Sequence, residues 1–217
     1  MTTELIKELI GENSEFVKRV GDNRFEELVE GQSPSVTLVC CSDSRIPIDL
    51  VCQDTINKVF SIENIGNQIK TSEGSVDYGV LHLKTPLLVI MGHTGCGAVN
   101  TCFTDFTKEN EGIVRELEFL TDGLAEMDNS FSYDDSQRLE KYAELNVDYQ
   151  VIYATEKYRE LIDNEKLSVI GLMADLKGTY GNDRGKVYIT NFNCETSPEK
   201  INEMLNIGEE HIVKRLV

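Results

Sequence analysis

Hydrophobic residues form two short continuous runs in the first half of the chain, at residues 36–40 and 87–91. Pro34 precedes the first run and Pro86 precedes the second, and polar or glycine residues follow both. Runs of this length between turn residues are typical of strands that are buried on both faces of a sheet. We therefore predict two short buried strands at these positions.

The rest of the chain alternates between strand and helix patterns. Further strands are predicted at residues 58–62, 167–172 and 186–190, and helices at residues 47–52, 72–83, 146–163 and from Ser197 to the C-terminus. The strand, helix, strand order predicts right-handed crossovers and a parallel sheet, and the short link at 178–185 predicts an antiparallel hairpin. The predicted fold class is α/β: a mainly parallel β-sheet with an antiparallel edge strand, flanked by helices. An accessory helical region is predicted over residues 105–145.

An N-terminal helical arm is predicted before the first strand. Residues 4–30 carry apolar positions at helical spacing, with breaks near Gly11 and Gly21-Asp22, which indicates two or three short helices. Their apolar faces must be buried on the domain itself or on a second copy of the chain. A chain of 217 residues is most simply one domain, so we predict a single domain over 1–217 with 1–30 as its arm.

Charge and composition exclude several classes of partner. The net charge of −17 argues against nucleic acids and anionic membranes, because phosphate contacts require clustered Lys and Arg. No run approaches the ~18 apolar residues of a membrane span, and residues 1–25 lack the apolar core of a signal peptide, so we expect a cytoplasmic location. Six cysteines are then expected as thiols. Cys40 precedes Cys41 and is expected to point to the opposite face of its strand. Three others show no metal spacing and are expected to be small core residues: Cys52, Cys102 and Cys194.

The other two cysteines and a histidine follow the two buried strands. Cys41 comes after the first strand, and His93 and Cys96 come after the second. Neighbouring parallel strands bring their following loops together in one crevice, so the three side chains could meet. Two thiolates and an imidazole suit Zn²⁺, and three protein ligands leave a fourth position for water or substrate, as in catalytic zinc sites. Without Cys41, ordinary core or surface residues would be the better interpretation.

These segments resemble the zinc motifs of the β-class carbonic anhydrases, on Cys41-Ser42-Asp43-Ser44-Arg45 and His93-Thr94-Gly95-Cys96-Gly97. The resemblance runs without a gap from Gln32 to Cys96. It implies a carbonate dehydratase, a zinc lyase with one Zn²⁺ per chain on Cys41, His93 and Cys96. Zinc-bound hydroxide would reversibly hydrate carbon dioxide to bicarbonate and a proton. One departure is Glu63, where the family commonly has Arg.

Asp43 and Arg45 are the candidate catalytic residues beside the zinc. Asp43 can accept the hydrogen bond of the zinc-bound water, and Arg45 can hold that carboxylate by a bidentate contact. The alternative is a loop ion pair or a helix cap. The resemblance implies a second state, in which Asp43 leaves Arg45 and binds zinc as a fourth ligand. The sequence leaves both states open.

The resemblance also implies a substrate pocket and an oligomer. Gln32, Phe60 and Tyr78 match positions that line the pocket, with the Gln32 amide donating to a substrate oxygen. Gly97 offers a backbone N–H at a helix N-terminus, where bicarbonate is favoured. Otherwise Gln32 is a loop residue, and Phe60 and Tyr78 are core aromatics. In the resembling family an N-terminal arm packs across a homodimer, so we expect a homodimer or a higher even oligomer.

Two other functions stay open from the sequence. One is a hydrolase of carbon disulfide or carbonyl sulfide on the same fold. The other is a non-catalytic zinc-binding or thiol-based regulatory protein, which would show four closed ligands or lack the Asp43 and Arg45 pair. Gln32 provides a polar donor suited to bicarbonate, which favours the hydration of carbon dioxide.

Overall fold

A computed structural model of the protein describes residues 1–129, 131, 139–207 and 212–217. The chain divides into two compact units, Met1–Ser33 and Pro34–Val217, and each is described here by itself. The organisation as a single domain stays a prediction from the sequence. Among the helices of the described ranges, none has both the length and the apolar character needed to cross a membrane.

The N-terminal unit contains helix α1, Thr2–Val20, and the short helix α2, Asp22–Glu26. The predicted break near Gly11 is wrong, because α1 continues through it. A glycine inside a helix costs only about 1 kcal/mol relative to alanine, which a helix of 19 residues tolerates. The break at Gly21 is confirmed: this glycine has φ +86°, a left-handed conformation that ends α1.

The second unit is built on a five-stranded sheet in the order β2-β1-β3-β4-β5. Its strands are β1 Val36–Cys41, β2 Val59–Asn64, β3 Leu87–His93, β4 Ser168–Asp175 and β5 Lys186–Phe192. Strands β1 to β4 run parallel, and β5 pairs antiparallel with β4 at one edge. The predicted α/β fold class, with an antiparallel edge strand and an N-terminal helix, is confirmed.

The helices of this unit follow the predicted order with several changes of boundary. They are α3 Glu73–Asp77, α4 Gly97–Thr101, α5 Glu111–Met127, α6 Leu139–Lys157, α7 Arg159–Asp163 and α8 Pro198–Leu205. The helix predicted at 47–52 is only a 3-10 turn, Ile48–Leu50, and α3 continues as a π-helix, Tyr78–His82. In the described part of 105–145 the predicted helical region is α5 and the start of α6; residues 130 and 132–138 lie outside the described residues.

The last helix begins as predicted and ends too early. The Ser197 hydroxyl caps α8 by accepting from the Lys200 backbone N–H at 3.4 Å. The helix stops at Asn206, which takes a left-handed conformation, so the prediction that it runs to the C-terminus is wrong. Residues 212–217 are not helical, and Val213 forms a parallel bridge with Ile189 of β5.

Two apolar layers cover the two faces of the sheet, and alternate residues of each strand point to opposite layers. Cys41 lies in the layer of α5 and α6, and Cys40 in the layer of α8, as their adjacent positions predict. Cys102 is also buried, as expected. Cys194 is exposed in the turn after β5, and Cys52 is half-buried, so the expectation that these two are core residues is wrong.

A buried ionic cluster joins the C-terminal segment to α6. Arg215 donates to both carboxylate oxygens of Asp148, at 3.1 and 2.6 Å, and to the Thr190 carbonyl at 2.6 Å. Glu144, one turn before Asp148, accepts from the backbone N–H of Leu216 at 3.0 Å and from the Tyr180 hydroxyl. Burial raises the pKa of Glu144. The positive charge of Arg215 therefore offsets the cost of burying two carboxyl groups, those of Glu144 and Asp148.

Arg215→Met is therefore expected to lower the free energy of unfolding by about 3 kcal/mol, because it leaves Asp148 charged and unpaired in the interior. Urea denaturation at a fixed protein concentration measures this change. Arg184→Met, at an exposed position, is the matched control and should be close to neutral. Equal stability of the two variants would contradict the role given to the cluster.

Candidate metal centre

Cys41, His93 and Cys96 converge at the C-terminal ends of β1 and β3. Cys41 is the last residue of β1, His93 is the last residue of β3, and Cys96 precedes α4. Their two sulfur atoms and an imidazole nitrogen all lie within 4.8 Å of one another, and all three side chains are buried. The two strands are adjacent and parallel, so their ends bring the residues together from positions 52 apart in the chain.

The imidazole of His93 is arranged as a metal ligand would be. Its Nδ1 lies 3.1 Å from the Thr94 carbonyl oxygen; a carbonyl can only accept, so Nδ1 carries the proton. Nε2 is then an acceptor, and none of the described residues hydrogen-bonds it although it is fully buried. A buried nitrogen without a partner costs free energy unless something binds it. With two sulfurs beside it, this donor set fits Zn²⁺.

The two neighbouring thiols have pKa shifts of opposite sign. The Cys96 thiol beside the Cys41 sulfur lowers the pKa of Cys41, whereas Cys41 together with burial raises the pKa of Cys96. The backbone N–H of Gly66 also donates to Cys41, and those of Ala98 and Val99 donate to Cys96. Such bonds favour the charged sulfur. These donors leave no signal in the sequence, because every residue except proline has a backbone N–H.

Asp43 and Arg45 form a bidentate pair beside the three residues. Arg45 Nε donates to Asp43 Oδ1 at 2.8 Å and Nη2 donates to Oδ2 at 2.6 Å, while the Arg45 backbone N–H reaches Oδ1 at 3.0 Å. These bonds hold the pKa of Asp43 well below its usual range, so the carboxylate is ionised. Asp43 Oδ2 lies 3.8 Å from His93 Nε2. Of the two arrangements left open by the sequence, this structure has the one paired with Arg45.

Hydrogen bonds join the loop after β3 to the end of β4 and the loop that follows it. The Thr94 backbone N–H donates to the Ala174 carbonyl at 3.0 Å, and the Thr94 hydroxyl accepts from the Leu176 N–H at 2.8 Å. Asp175 is buried and accepts from the Thr94 hydroxyl at 3.3 Å and from successive N–H groups of residues 177–180. His93 and Cys96, which flank Thr94, are thereby held against β4.

The residues predicted to line a pocket lie in several elements. Phe60, in β2, has its ring centroid 5.8 Å from that of Tyr78, which is 45 % exposed at the start of the π-helix. Tyr78 in turn lies 4.5 Å from the ring of His82. Gly97 is the first residue of α4, directly after Cys96. Gln32 is exposed and belongs to the N-terminal unit.

The fold and this site define an α/β protein with a buried group of two cysteines and one histidine that could hold a metal ion. A family model described as carbonic anhydrase matches residues 36–180, which is more than half of the chain. The chain therefore belongs to the carbonic anhydrase family, and its structural relatives place it in the β class.

Named relatives match part of the chain. A carbonic anhydrase of Emericella nidulans is 34% identical over 130 residues, which cover 57% of this chain and 56% of that protein. A carbonic anhydrase of Mycolicibacterium smegmatis is 31% identical over 100 residues, which cover 45% of this chain and 48% of that protein. The matched region thus spans about half the length of each of these relatives.

Solved structures match over nearly the whole chain. A β-carbonic anhydrase of Aspergillus fumigatus has a TM-score of 0.69 at 25% identity and covers 97% of this chain and 99% of its own. A structure from Sordaria macrospora, described as one of two tetrameric β-carbonic anhydrases, has a TM-score of 0.69 at 24% identity and covers 86% and 96%. The second likeness shows the shared fold.

Cys96→Ser is expected to lower the zinc content well below one per chain, because an alcohol replaces one of two thiolate ligands and metal affinity depends on that ligand. Metal analysis after dialysis against a weak chelator measures the content. Cys194→Ser, at an exposed cysteine outside the group, is the matched control and should keep the full content. A full zinc complement with unchanged affinity in Cys96→Ser would show that the ligand assignment is wrong.

Proposed function

We propose that the protein is a zinc-dependent carbonic anhydrase that reversibly hydrates carbon dioxide to bicarbonate and a proton. One zinc per chain would be held by Cys41, His93 and Cys96. The observation that carries the proposal is the buried Nε2 of His93, which no described residue hydrogen-bonds, grouped with two thiols and lying 3.8 Å from an oxygen of the ionised Asp43. Membership of the carbonic anhydrase family supports the same reaction.

Zinc, when bound, supplies a Lewis acid that makes water a nucleophile near neutral pH. The chain's own groups decide how that water is oriented. Asp43 is ionised and can only accept a hydrogen bond, so it aligns the O–H of a water at the ligand group and leaves an oxygen lone pair for the carbon of the substrate. Arg45 holds both carboxylate oxygens, which keeps Asp43 from turning toward the ligand group.

Backbone N–H groups moderate the charge of the thiolates. Two thiolates donate more charge than the imidazoles of a three-histidine site, which by itself would make the water less acidic. The donors on the sulfurs, from Gly66, Ala98 and Val99, draw part of this charge away. In our proposal these N–H groups bring the pKa of a water at the ligand group back toward neutral.

The substrate contacts are part of this proposal. The neighbouring rings of Phe60 and Tyr78 offer an apolar wall, which suits uncharged carbon dioxide. The Gly97 N–H offers a donor, which suits the oxygens of bicarbonate, and the contact of Gln32 with the substrate stays a prediction from the sequence. Glu63 is exposed on β2, so the family's usual cation is absent from that edge and no anion contact is assigned there.

We also propose a homodimer or a higher even oligomer in the cytoplasm. Leu5, Ile6, Leu9 and Ile10 of α1 are each more than half exposed, and apolar surface of this kind is normally covered. The Sordaria macrospora relatives are described as tetrameric, which supports an assembly with even symmetry. The free thiols suit a reducing compartment.

Stopped-flow hydration of carbon dioxide by the zinc-loaded protein tests the proposed reaction, with carbon disulfide as a control substrate. Rapid hydration with no turnover of carbon disulfide supports it. Turnover of carbon disulfide alone would assign the chain to the hydrolases. A zinc-loaded protein that turns over neither substrate would exclude an enzymatic role for the centre.

Asp43→Ala is expected to lower hydration about 10 to 100-fold, because it removes the acceptor that orients water. Arg45→Ala should be lower still while keeping its zinc, because Asp43 is then free to turn and occupy the fourth position. Rates across pH 7 to 9 and zinc content measure both effects. Ser44→Ala, at the exposed residue between them, is the matched control. A wild-type rate of hydration in either variant would show that Asp43 and Arg45 form only a loop ion pair.

Leu9→Glu combined with Ile10→Glu should shift the protein toward the monomer, because charges on the exposed apolar face of α1 oppose burial against a second copy. Light scattering at micromolar concentration measures the mass. Lys7→Glu, at an exposed polar position of the same helix, is the control and should keep the oligomer. A monomeric mass for the unchanged protein would rule out this assembly.

A further inference from the structure

Glu140 contacts the loop that carries two of the three candidate metal ligands. This residue lies in the first turn of α6, and its Oε2 accepts a hydrogen bond from the Gly95 backbone N–H at 2.8 Å. Its other oxygen, Oε1, pairs with the Lys177 ammonium group. The steps proposed above do not use Glu140. Its contact nevertheless lies between His93 and Cys96 in the chain.

Gly95 is held from both sides by these contacts. Its N–H donates to Glu140, and its carbonyl accepts from Arg45 Nη2 at 3.1 Å. The residue has φ +70°, a left-handed conformation, and an added Cβ would lie 2.9 Å from Lys177 Cε. Gly95 therefore lies between Glu140 of α6 and the guanidinium of Arg45, with the end of the Lys177 side chain close beside it.

Arg45 needs such an anchor, because its side chain is 54% exposed. The bidentate contact fixes the guanidinium relative to Asp43 but does not attach it to the loop that carries His93 and Cys96. The Gly95 carbonyl supplies a third contact, which sets the direction from which the guanidinium reaches Asp43. Displacement of Gly95 would release this contact and loosen the hold on Asp43.

We propose that Glu140 is a positioning residue for the Asp43 and Arg45 pair, and that it acts through Gly95. Its carboxylate fixes the Gly95 N–H, the Gly95 carbonyl orients Arg45, and Arg45 keeps Asp43 beside the ligand group. Lys177 holds the second carboxylate oxygen of Glu140 and packs over Gly95. This role deepens the proposed function and rests on it.

A purely structural role for Glu140 makes a different prediction. An acidic residue in the first turn of a helix stabilises it through its charge, and neutralising that charge affects stability alone. Glu140→Gln removes the charge but keeps an oxygen that can accept from Gly95. Glu140→Ala and Glu140→Met remove both the charge and the acceptor. The Met side chain is similar in length to that of Glu, so Glu140→Met provides the test if Glu140→Ala does not fold.

The test compares these variants in zinc-loaded and cobalt-substituted protein. We expect Glu140→Ala and Glu140→Met to lower kcat/KM about tenfold, and Glu140→Gln to restore most of that loss. In the cobalt-substituted Glu140→Ala and Glu140→Met variants, the visible spectrum should shift toward the spectrum of cobalt-substituted Arg45→Ala. The spectrum of cobalt-substituted Glu140→Gln should stay close to that of the unchanged protein. Hydrogen exchange of the Gly95 amide should be faster in Ala and Met only. Glu156→Ala, exposed on the same helix, is the control.

Wild-type cobalt spectra and wild-type Gly95 exchange in Glu140→Ala or Glu140→Met would overturn the proposal. Equal effects of the Gln, Ala and Met variants would also overturn it, because they would point to the charge alone. If the unchanged protein binds cobalt but does not hydrate carbon dioxide, the proposed function fails. The spectrum and the amide exchange still decide the role of Glu140 in that case.

Discussion

The parallel pairing of β1 with β3 is the constraint on which the candidate site depends. Cys40 lies opposite Met91 in this register, so β1 ends at Cys41 close to the end of β3 at His93. A shift of one residue would turn Cys41 into the layer of α8, since successive side chains of a strand face opposite sides. Both faces of these central strands are buried by apolar residues, such as Leu38, Val39 and Ile90.

Helix α6 links this sheet to the loops that surround the site. It packs closely on β3 and β4 because Gly92 and Gly171 leave room for Val147; an added Cβ at either glycine would lie within 2.8 Å of that side chain. Three carboxylates at spacings of four residues then face the protein: Glu140, Glu144 and Asp148. They hold the Gly95 loop and the C-terminal segment, so one helix face organises both the metal loop and the end of the chain.

Asp43 and Cys96 have pKa shifts of opposite sign, so these two acidic groups have different roles at the site. Asp43 is partly exposed and has a lowered pKa because a guanidinium donates to both of its oxygens. Cys96 is buried and has a raised pKa, because the neighbouring Cys41 sulfur and the loss of solvent both favour the thiol that keeps its proton. In our proposal the carboxylate is therefore a permanent acceptor, whereas the thiols lose their remaining proton when a metal binds, which makes metal binding dependent on pH.

The sequence by itself determined the elements and the chemistry within short segments. Continuous apolar runs identified the buried strands, and the cysteine, histidine and Asp43 with Arg45 were found by spacing and resemblance, because these signals are local. Gly11 misled the prediction, since a single glycine is compatible with a long helix. The end of α8 was missed because Asn206 gives only a weak stop signal.

Only the tertiary structure decided which distant groups meet. The grouping of Cys41 with His93 and Cys96 and the contact of Glu140 with Gly95 join residues from different elements, 45 positions apart in the last case. Glutamate at a helix start is common, so its residue type alone does not indicate a role near a metal. Such contacts depend on how closely α6 packs on the sheet, and packing is a property of the whole core that no local pattern encodes.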